Sequence, residues 1–360
     1  MTAVSVNADP VGQGTMSAAV FHGPGDVRLE QVPVPDIGRD EVLVRVAANT
    51  ICGTDLRILR GEKTRGVRRP SVLGHEFAGT VAAAGADAGG FAEGDPVAMA
   101  PVVPCLRCVH CRNDRENVCA DRRAMGYEFD GAIAEYVRIP AAAIAAGNLF
   151  HVDADLPLEQ LALAEPLACC VNGFGRSAVR PGDTVVVMGA GPIGLLHTQL
   201  AVNAGASRVV VSDLSPSRLR VAGELGATTT VDVSERDLLD VVHQQTGGVG
   251  ADASLVCIGI PSLVDEAVRL TRKGGSVNIF AGLAGEGVSQ VSANEIHYRE
   301  LVVTGTSAMR RRDYEMALRL IETGAVDVGR LLTHRVPLSD AAEAFELAGS
   351  GDGLKVAIVP

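Results

Sequence analysis

Between Ser17 and about Pro140, apolar residues fall in short β-forming runs broken by Gly and Pro, as in EVLVRVAANTICG, FAGTVAAAG and DPVAMAPVV. That punctuation predicts short strands in an all-β, barrel-like region. From Asp183 the rhythm changes. TVVVMG, RVVVSD, ASLVCIG, GSVNIFAG and LVVTGT read as strands, with helical stretches such as PIGLLHTQLAVNAG and SPSRLRVAGELG between them. Strand alternating with helix predicts a parallel sheet covered on both faces. After about Ser307 come a helical stretch, RRDYEMALRLIETG, and a closing strand, LKVAIVP.

The length, 360 residues, makes two domains the default. No uninterrupted apolar run is long enough to span a membrane, and MTAVSVNADPVGQGT lacks the basic and apolar regions of a secretory signal. It reads as a loose tail, with the ordered chain starting near Met16. These features predict a cytoplasmic protein. The net charge of −11 disfavours a nucleic-acid partner.

Composition then decides how to read PCLRCVHCRNDRENVC. In a reducing compartment, Cys105, Cys108, Cys111 and Cys119 favour a metal over disulfides. Four thiolates at this spacing can close a tetrahedral structural zinc site. An empty or disulfide-linked cluster is the alternative.

The stretch after TVVVM is a dinucleotide fingerprint, Gly189-x-Gly191-x-x-Gly194, with Pro192 and Ile193 opening the helix. The first Gly permits a tight turn, the second lets a pyrophosphate approach the backbone, and the third lets helix pack on strand. The helix N-terminus offers N–H groups and partial positive charge to phosphates. Asp213 ends the next strand where a ribose-binding carboxylate belongs, which predicts NAD rather than NADP. Arg218 could flank the adenosine.

Three further stretches hold metal-ligating residue types: ICGTDL with Cys52, Thr54 and Asp55; LGHEFAG with His75 and Glu76; LAEPLACC with Glu165. A catalytic zinc needs few protein ligands and one open position. Cys52, His75 and Glu165 could supply the ligands, Glu76 could ligate intermittently, and Asp55 could orient a ligand. Each has a plainer reading as core or surface, and spacing alone does not link positions so far apart. Cys169, Cys170 and Cys257 read as core.

With these motifs together, the chain resembles the zinc-dependent medium-chain alcohol dehydrogenases, in their polyol and threonine dehydrogenase branch. The resemblance runs from SAAVFHGPGDV to the C-terminus and rests on CGTD, GHEFAG, the four-cysteine lobe, EPLA, GAGPIG and Asp213. It implies an α/β fold with two parts: a GroES-like β-barrel-type catalytic domain over 16–168 and 308–360, and a Rossmann doubly wound domain over 169–307. Residues 1–15 would form a flexible tail and about 100–122 the zinc lobe. It implies two zinc ions, a catalytic one on Cys52, His75 and Glu165 with Glu76 adjoining, and a structural one on the four lobe cysteines. It implies a proton relay through Thr54, hydride transfer from the alcohol to NAD, a small-molecule alcohol or ketone partner, and homodimers or homotetramers. The branch implies a secondary alcohol of a polyol, sugar or cyclitol; an amino-alcohol such as threonine or the aminocyclitol 2-deoxy-scyllo-inosamine is the alternative. A zinc-binding structural or regulatory protein is the reading from another class, which the nucleotide fingerprint and acidic charge disfavour.

One position departs from the family. Many relatives carry histidine three residues after the relay hydroxyl, where this chain has Arg57, which stays protonated and cannot shuttle protons. Arg57 also opens a basic run with Arg60, Lys63, Arg65, Arg68 and Arg69 against Glu62 alone. The run is either a solvated loop or a field that attracts an anionic substrate or the cofactor phosphates.

Overall fold

The computed structural model describes residues 14–153, 155–283, 285 and 287–360. It divides into two compact units, one formed by residues 1–165 and 332–360, the other by 166–331. Most of the expected N-terminal tail lies outside the described residues. The first strand, Thr15–Gly23, starts one residue before the expected boundary.

The first unit is mainly β. Val42–Thr50 is the centre of a seven-stranded sheet, paired antiparallel with Glu76–Ala84, Tyr136–Ile139 and Lys355–Val359. A smaller sheet joins Thr15–Gly23 to Asp26–Pro33 and Ser71–Val72. The closing strand LKVAIVP thus enters this unit by hydrogen bonding against the chain's third strand, with Ala357 opposite Thr50. Phe21, Leu73, Ile133, Phe345 and Ile358 are buried in one apolar cluster, and Val44, Phe77, Met99 and Ile139 in another. The cysteine lobe leaves this body at the short pair Val102–Val103 and Arg123–Ala124.

The second unit is a six-stranded parallel sheet. Its strands are β1 (Thr184–Met188), β2 (Arg208–Asp213), β3 (Thr229–Asp232), β4 (Ala251–Val256), β5 (Thr271–Ile279) and β6 (Val302–Gly305), in the order β3-β2-β1-β4-β5-β6. This is the Rossmann order, in which β1 carries the nucleotide turn at the switch point. Every residue of β1 is buried, as a central strand covered on both faces requires. The helices begin with local signals: Pro at the start of Pro192–Asn203 and Pro216–Glu224, and Asp237 accepting from the Asp240 N–H at 3.1 Å to cap Leu238–Thr246.

Two features differ from the sequence reading. β3, with the sequence TTVD, has too little apolar character to announce itself; it is an edge strand of this sheet. The division between units falls after Glu165 and before Leu332, not at 168 and 308. The amphipathic helix Arg311–Glu322 belongs to the Rossmann unit, where Tyr314, Leu318 and Ile321 are buried. The turn behind it is tied to the first Rossmann helix: Gln199 Nε2 donates to the Asp327 carbonyl at 3.2 Å, and Asn203 Nδ2 donates to that of Ala325 at 2.7 Å.

Candidate active site and structural metal centre

The strand Val42–Thr50 ends at a short helix, Gly53–Leu59, with Cys52 at its N-cap. Asp55 folds back to accept the Cys52 N–H at 3.0 Å, which fixes the entry of the helix and turns its carboxylate inward. Asp55 is fully buried, and its other oxygen lies 3.3 Å from His75 Nδ1. That contact is electrostatic rather than a well-aligned hydrogen bond, and neither atom has a hydrogen-bond partner. With Nδ1 facing a carboxylate, Nε2 is the nitrogen left to ligate, the usual arrangement of a metal-bound imidazole.

Ligand atoms of Cys52, His75 and Glu76 all lie within 4.8 Å of one another. The sulfur, imidazole and carboxylate set suits zinc. Glu165 is 7% exposed and does not join the three within that distance. Its charge nonetheless acts on Tyr127 and on Lys355, as does that of Cys52.

Glu76 is held by its own partners. Its carboxylate accepts from Thr50 Oγ1 and from Lys355 Nζ, the latter at 2.7 Å on one oxygen. Lys355 also donates to the Ile51 carbonyl at 3.1 Å and is 6% exposed. Burial alone would lower its pKa, but Glu76, Cys52 and Glu165 outweigh burial and keep it raised. Two residues that sequence reasoning missed therefore border the cluster. One is Lys355, whose only signal was a lysine inside the apolar run LKVAIVP. The other is Tyr127, whose ring is 5.3 Å from that of His75; burial pushes its hydroxyl pKa up, with Asp55, Cys52 and Glu165 adding to the rise and His75 opposing it.

In the lobe, the sulfurs of Cys105, Cys108, Cys111 and Cys119 lie within 4.8 Å of one another, with Cys108 3.5 Å from Cys111 and 3.8 Å from Cys119. Tetrahedral zinc with sulfurs at about 2.3 Å sets them about 3.8 Å apart, so the cage fits. All eight cysteines are free thiols. Cys119 Sγ accepts N–H groups from Cys105 at 3.3 Å and Asp121 at 3.4 Å. Backbone N–H groups of Cys111 and Ala120 pull the Cys108 thiol down to about 6, towards the thiolate a metal needs, while burial pushes the Cys119 thiol up and that of Cys111 up to about 12.

The three glycines of the nucleotide turn meet different surroundings. Gly189 has φ of +109°, and a Cβ there would stand 2.5 Å from Ile258 Cγ1. A Cβ on Gly191 would meet nothing within 4 Å, so open space lies over this peptide. A Cβ on Gly194 would fall 1.7 Å from the Gly189 carbonyl oxygen, so only glycine lets the helix pack this closely. Gly191 caps the helix Pro192–Asn203 without a side-chain bond, leaving Ile193 at its open N-terminal turn. Asp213 accepts from the Ala190 N–H at 2.7 Å and from the Ser215 N–H at 2.9 Å, which clamps the turn to the end of β2. Each carboxylate oxygen keeps a further lone pair for a ribose hydroxyl. Arg218 is partly buried in the next helix.

Comparison with known proteins places this arrangement. Residues 38–148 match the alcohol dehydrogenase GroES-like domain, and residues 192–323 match the zinc-binding dehydrogenase domain. The chain is 33% identical over 350 residues to the sorbitol dehydrogenase of Bacillus subtilis (strain 168), covering 96% of this chain and 97% of that one. The chain belongs to the zinc-binding alcohol dehydrogenase family. It is 34% identical over 342 residues to the L-threonine 3-dehydrogenase of Symbiobacterium thermophilum, covering 94% and 95% of the two chains. A zinc-binding dehydrogenase of Sinorhizobium meliloti 1021, solved bound to NADP, superposes with a TM-score of 0.91 at 34% identity, covering 97% of this chain and all of that one. Among the described residues, no helix is long and apolar enough to cross a membrane.

Proposed function

We propose that this dehydrogenase oxidises a secondary alcohol of a polyol, with NAD as the hydride acceptor. The observation that carries the reading is the Cys52–His75–Glu76 cluster, with His75 and Glu76 buried, Cys52 partly so, and Asp55 behind the imidazole. A zinc ion held by Cys52, His75 and Glu165 would supply Lewis-acid polarisation of the substrate hydroxyl and lower its pKa. Glu165 is the third ligand in this reading because Lys355 and Thr50 already occupy the Glu76 carboxylate. Glu76 then serves as the fixed negative charge that keeps Lys355 beside the cluster.

Thr54 sits in the first turn of the helix that starts at Cys52, partly buried, where its hydroxyl can accept the substrate proton. The next residue on that helix face, Arg57, is half-exposed and 3.6 Å from Glu62; a guanidinium passes no proton on, so the proton leaves through water or the ribose. Asp55 sets its carboxylate against His75 Nδ1, which favours the tautomer that leaves Nε2 to ligate. In the nucleotide turn, Gly191 gives the pyrophosphate its backbone approach, and Asp213 receives the ribose hydroxyls and repels a 2′-phosphate. The same family's homo-oligomeric assembly belongs to this proposal. Cys52→Ser should abolish polyol-dependent NAD reduction while NADH still binds by fluorescence titration. Retained turnover in a variant with no metal at this site would defeat the reading.

A further inference from the structure

The run from Arg57 to Arg69 sets six cations against Glu62 in a chain of net charge −11. Several are accounted for locally. Arg68 pairs with Asp130 at 2.5 Å, Arg69 lies 5.7 Å over the Phe21 ring, and Arg57 is 3.6 Å from Glu62. Lys63 is different. Its Nζ stands 4.5 Å from the centre of the Tyr127 ring and donates to the Arg65 carbonyl at 2.8 Å. Tyr127 in turn lies 5.3 Å from His75, so one aromatic ring separates this ammonium from the metal cluster.

The surroundings of Lys63 are not neutral. Burial lowers its pKa first; Glu128 raises it, and Arg122, Arg57 and Arg65 lower it again. The Glu128 carboxylate already accepts from the Ala124 N–H at 2.9 Å. The charges of Arg57, Arg65 and Arg122 thus act on Lys63 against that of Glu128, while Glu62 lies 3.6 Å from Arg57 and Arg122 donates to the Asn117 carbonyl at 2.9 Å. Partial desolvation strengthens both the cations' mutual repulsion and the attraction of any anion placed among them. An aminocyclitol, cationic and without a carboxylate, would be repelled there.

We propose that Lys63, with Arg65 and Arg122 beside it, recognises an anionic group, a phosphate or a carboxylate, carried by the alcohol substrate. The inference rests on the polyol reading above and names the substrate class of that same site. Tyr127 is then the wall along which the substrate chain runs from its reacting carbon to its charged end. The ammonium supplies a point charge, and the exposed guanidinia supply planar forks for the anion's oxygens.

The test uses the zinc-loaded full chain with NAD and three compounds of one hydroxyl pattern: sorbitol, sorbitol 6-phosphate and gluconate. One anionic compound should exceed sorbitol in kcat/KM by about tenfold or more, chiefly through KM, and the advantage should shrink as salt rises. A preference for sorbitol 6-phosphate assigns a phosphate, and one for gluconate a carboxylate. Lys63→Gln should cost the preferred anion about 10- to 100-fold, the range expected for a charge-assisted hydrogen bond, and leave sorbitol within about twofold. Lys63→Arg should restore part of the loss, and Arg65→Gln should repeat it in weaker form. An equal loss on all three compounds would make Lys63 a brace for Tyr127 and overturn the proposal. So would an effect confined to the KM of NAD, or sorbitol as the best substrate. Calorimetric binding of the same compounds separates this idea from the reaction assignment. If none is oxidised, the polyol reading fails, while Lys63-dependent binding of an anion supports the site and its absence overturns it.

Discussion

Replacing His197 by leucine should change the acid stability of the Rossmann unit by an amount the structure specifies. His197 lies in the helix Pro192–Asn203 with no exposure, and neither ring nitrogen has a hydrogen-bond partner. Phe280 meets its ring edge-on at 4.8 Å, and Phe174 lies 6.4 Å away. Burial depresses its pKa from 6.5 to about 3. The folded protein therefore keeps this ring neutral over a range in which the unfolded chain protonates it. Below the unfolded pKa, the unfolded state binds the extra proton, so stability falls as pH drops from about 6.5 towards 3. The slope approaches about 1.4 kcal/mol per pH unit, and the loss reaches about 2 kcal/mol at pH 5. Leucine carries no such proton. Urea unfolding of both proteins at pH 8, 7, 6 and 5 gives the difference directly, and acid effects on other groups cancel in it. The variant's stability relative to wild type should rise by about 2 kcal/mol between pH 8 and pH 5. A difference independent of pH would refute the reasoning, since it would mean that the folded and unfolded chains protonate His197 at the same pH.

The remaining predictions concern the two sites. Asp213→Ala should lower kcat/KM for NAD and raise the NADP:NAD ratio, read by steady-state kinetics with both cofactors; an unchanged ratio would remove Asp213 from cofactor choice. Lys355→Met leaves Glu76 as a buried carboxylate without its cation. It should cost about 3–5 kcal/mol in denaturant unfolding, and a cost below about 1 kcal/mol would show that water or a metal already neutralises Glu76.

How much of this was legible depended on whether the chemistry is local in sequence. The nucleotide turn could be read residue by residue because its three glycines act on backbone within six positions of one another. The cysteine lobe could be read because four ligands fit inside one loop. Cys52 and Asp55 are three apart, so the helix N-cap that joins them was also within reach of spacing. Lys355 and Glu76 are far apart in sequence and meet only because the last strand hydrogen-bonds against Val42–Thr50. No local pattern encodes that pairing. The place of Tyr127 against His75 is hidden for the same reason. The helix Arg311–Glu322 was visible as a helix, but an amphipathic stripe does not say which sheet it covers. Hence the unit boundary was expected at 308 and lies at 332.

The central claim is that Cys52, His75 and Glu165 hold a zinc ion while the lobe holds a second. Crystals of the full chain with NAD, measured on both sides of the zinc absorption edge, test it directly. Two anomalous peaks per chain are predicted, one among the four lobe sulfurs and one at bonding distance, about 2.0–2.3 Å, from Cys52 Sγ, a His75 nitrogen and a Glu165 oxygen. A nucleotide-bound crystal with only the lobe peak, or with the second ion on Glu76 and Glu165 left apart from it, would contradict the account.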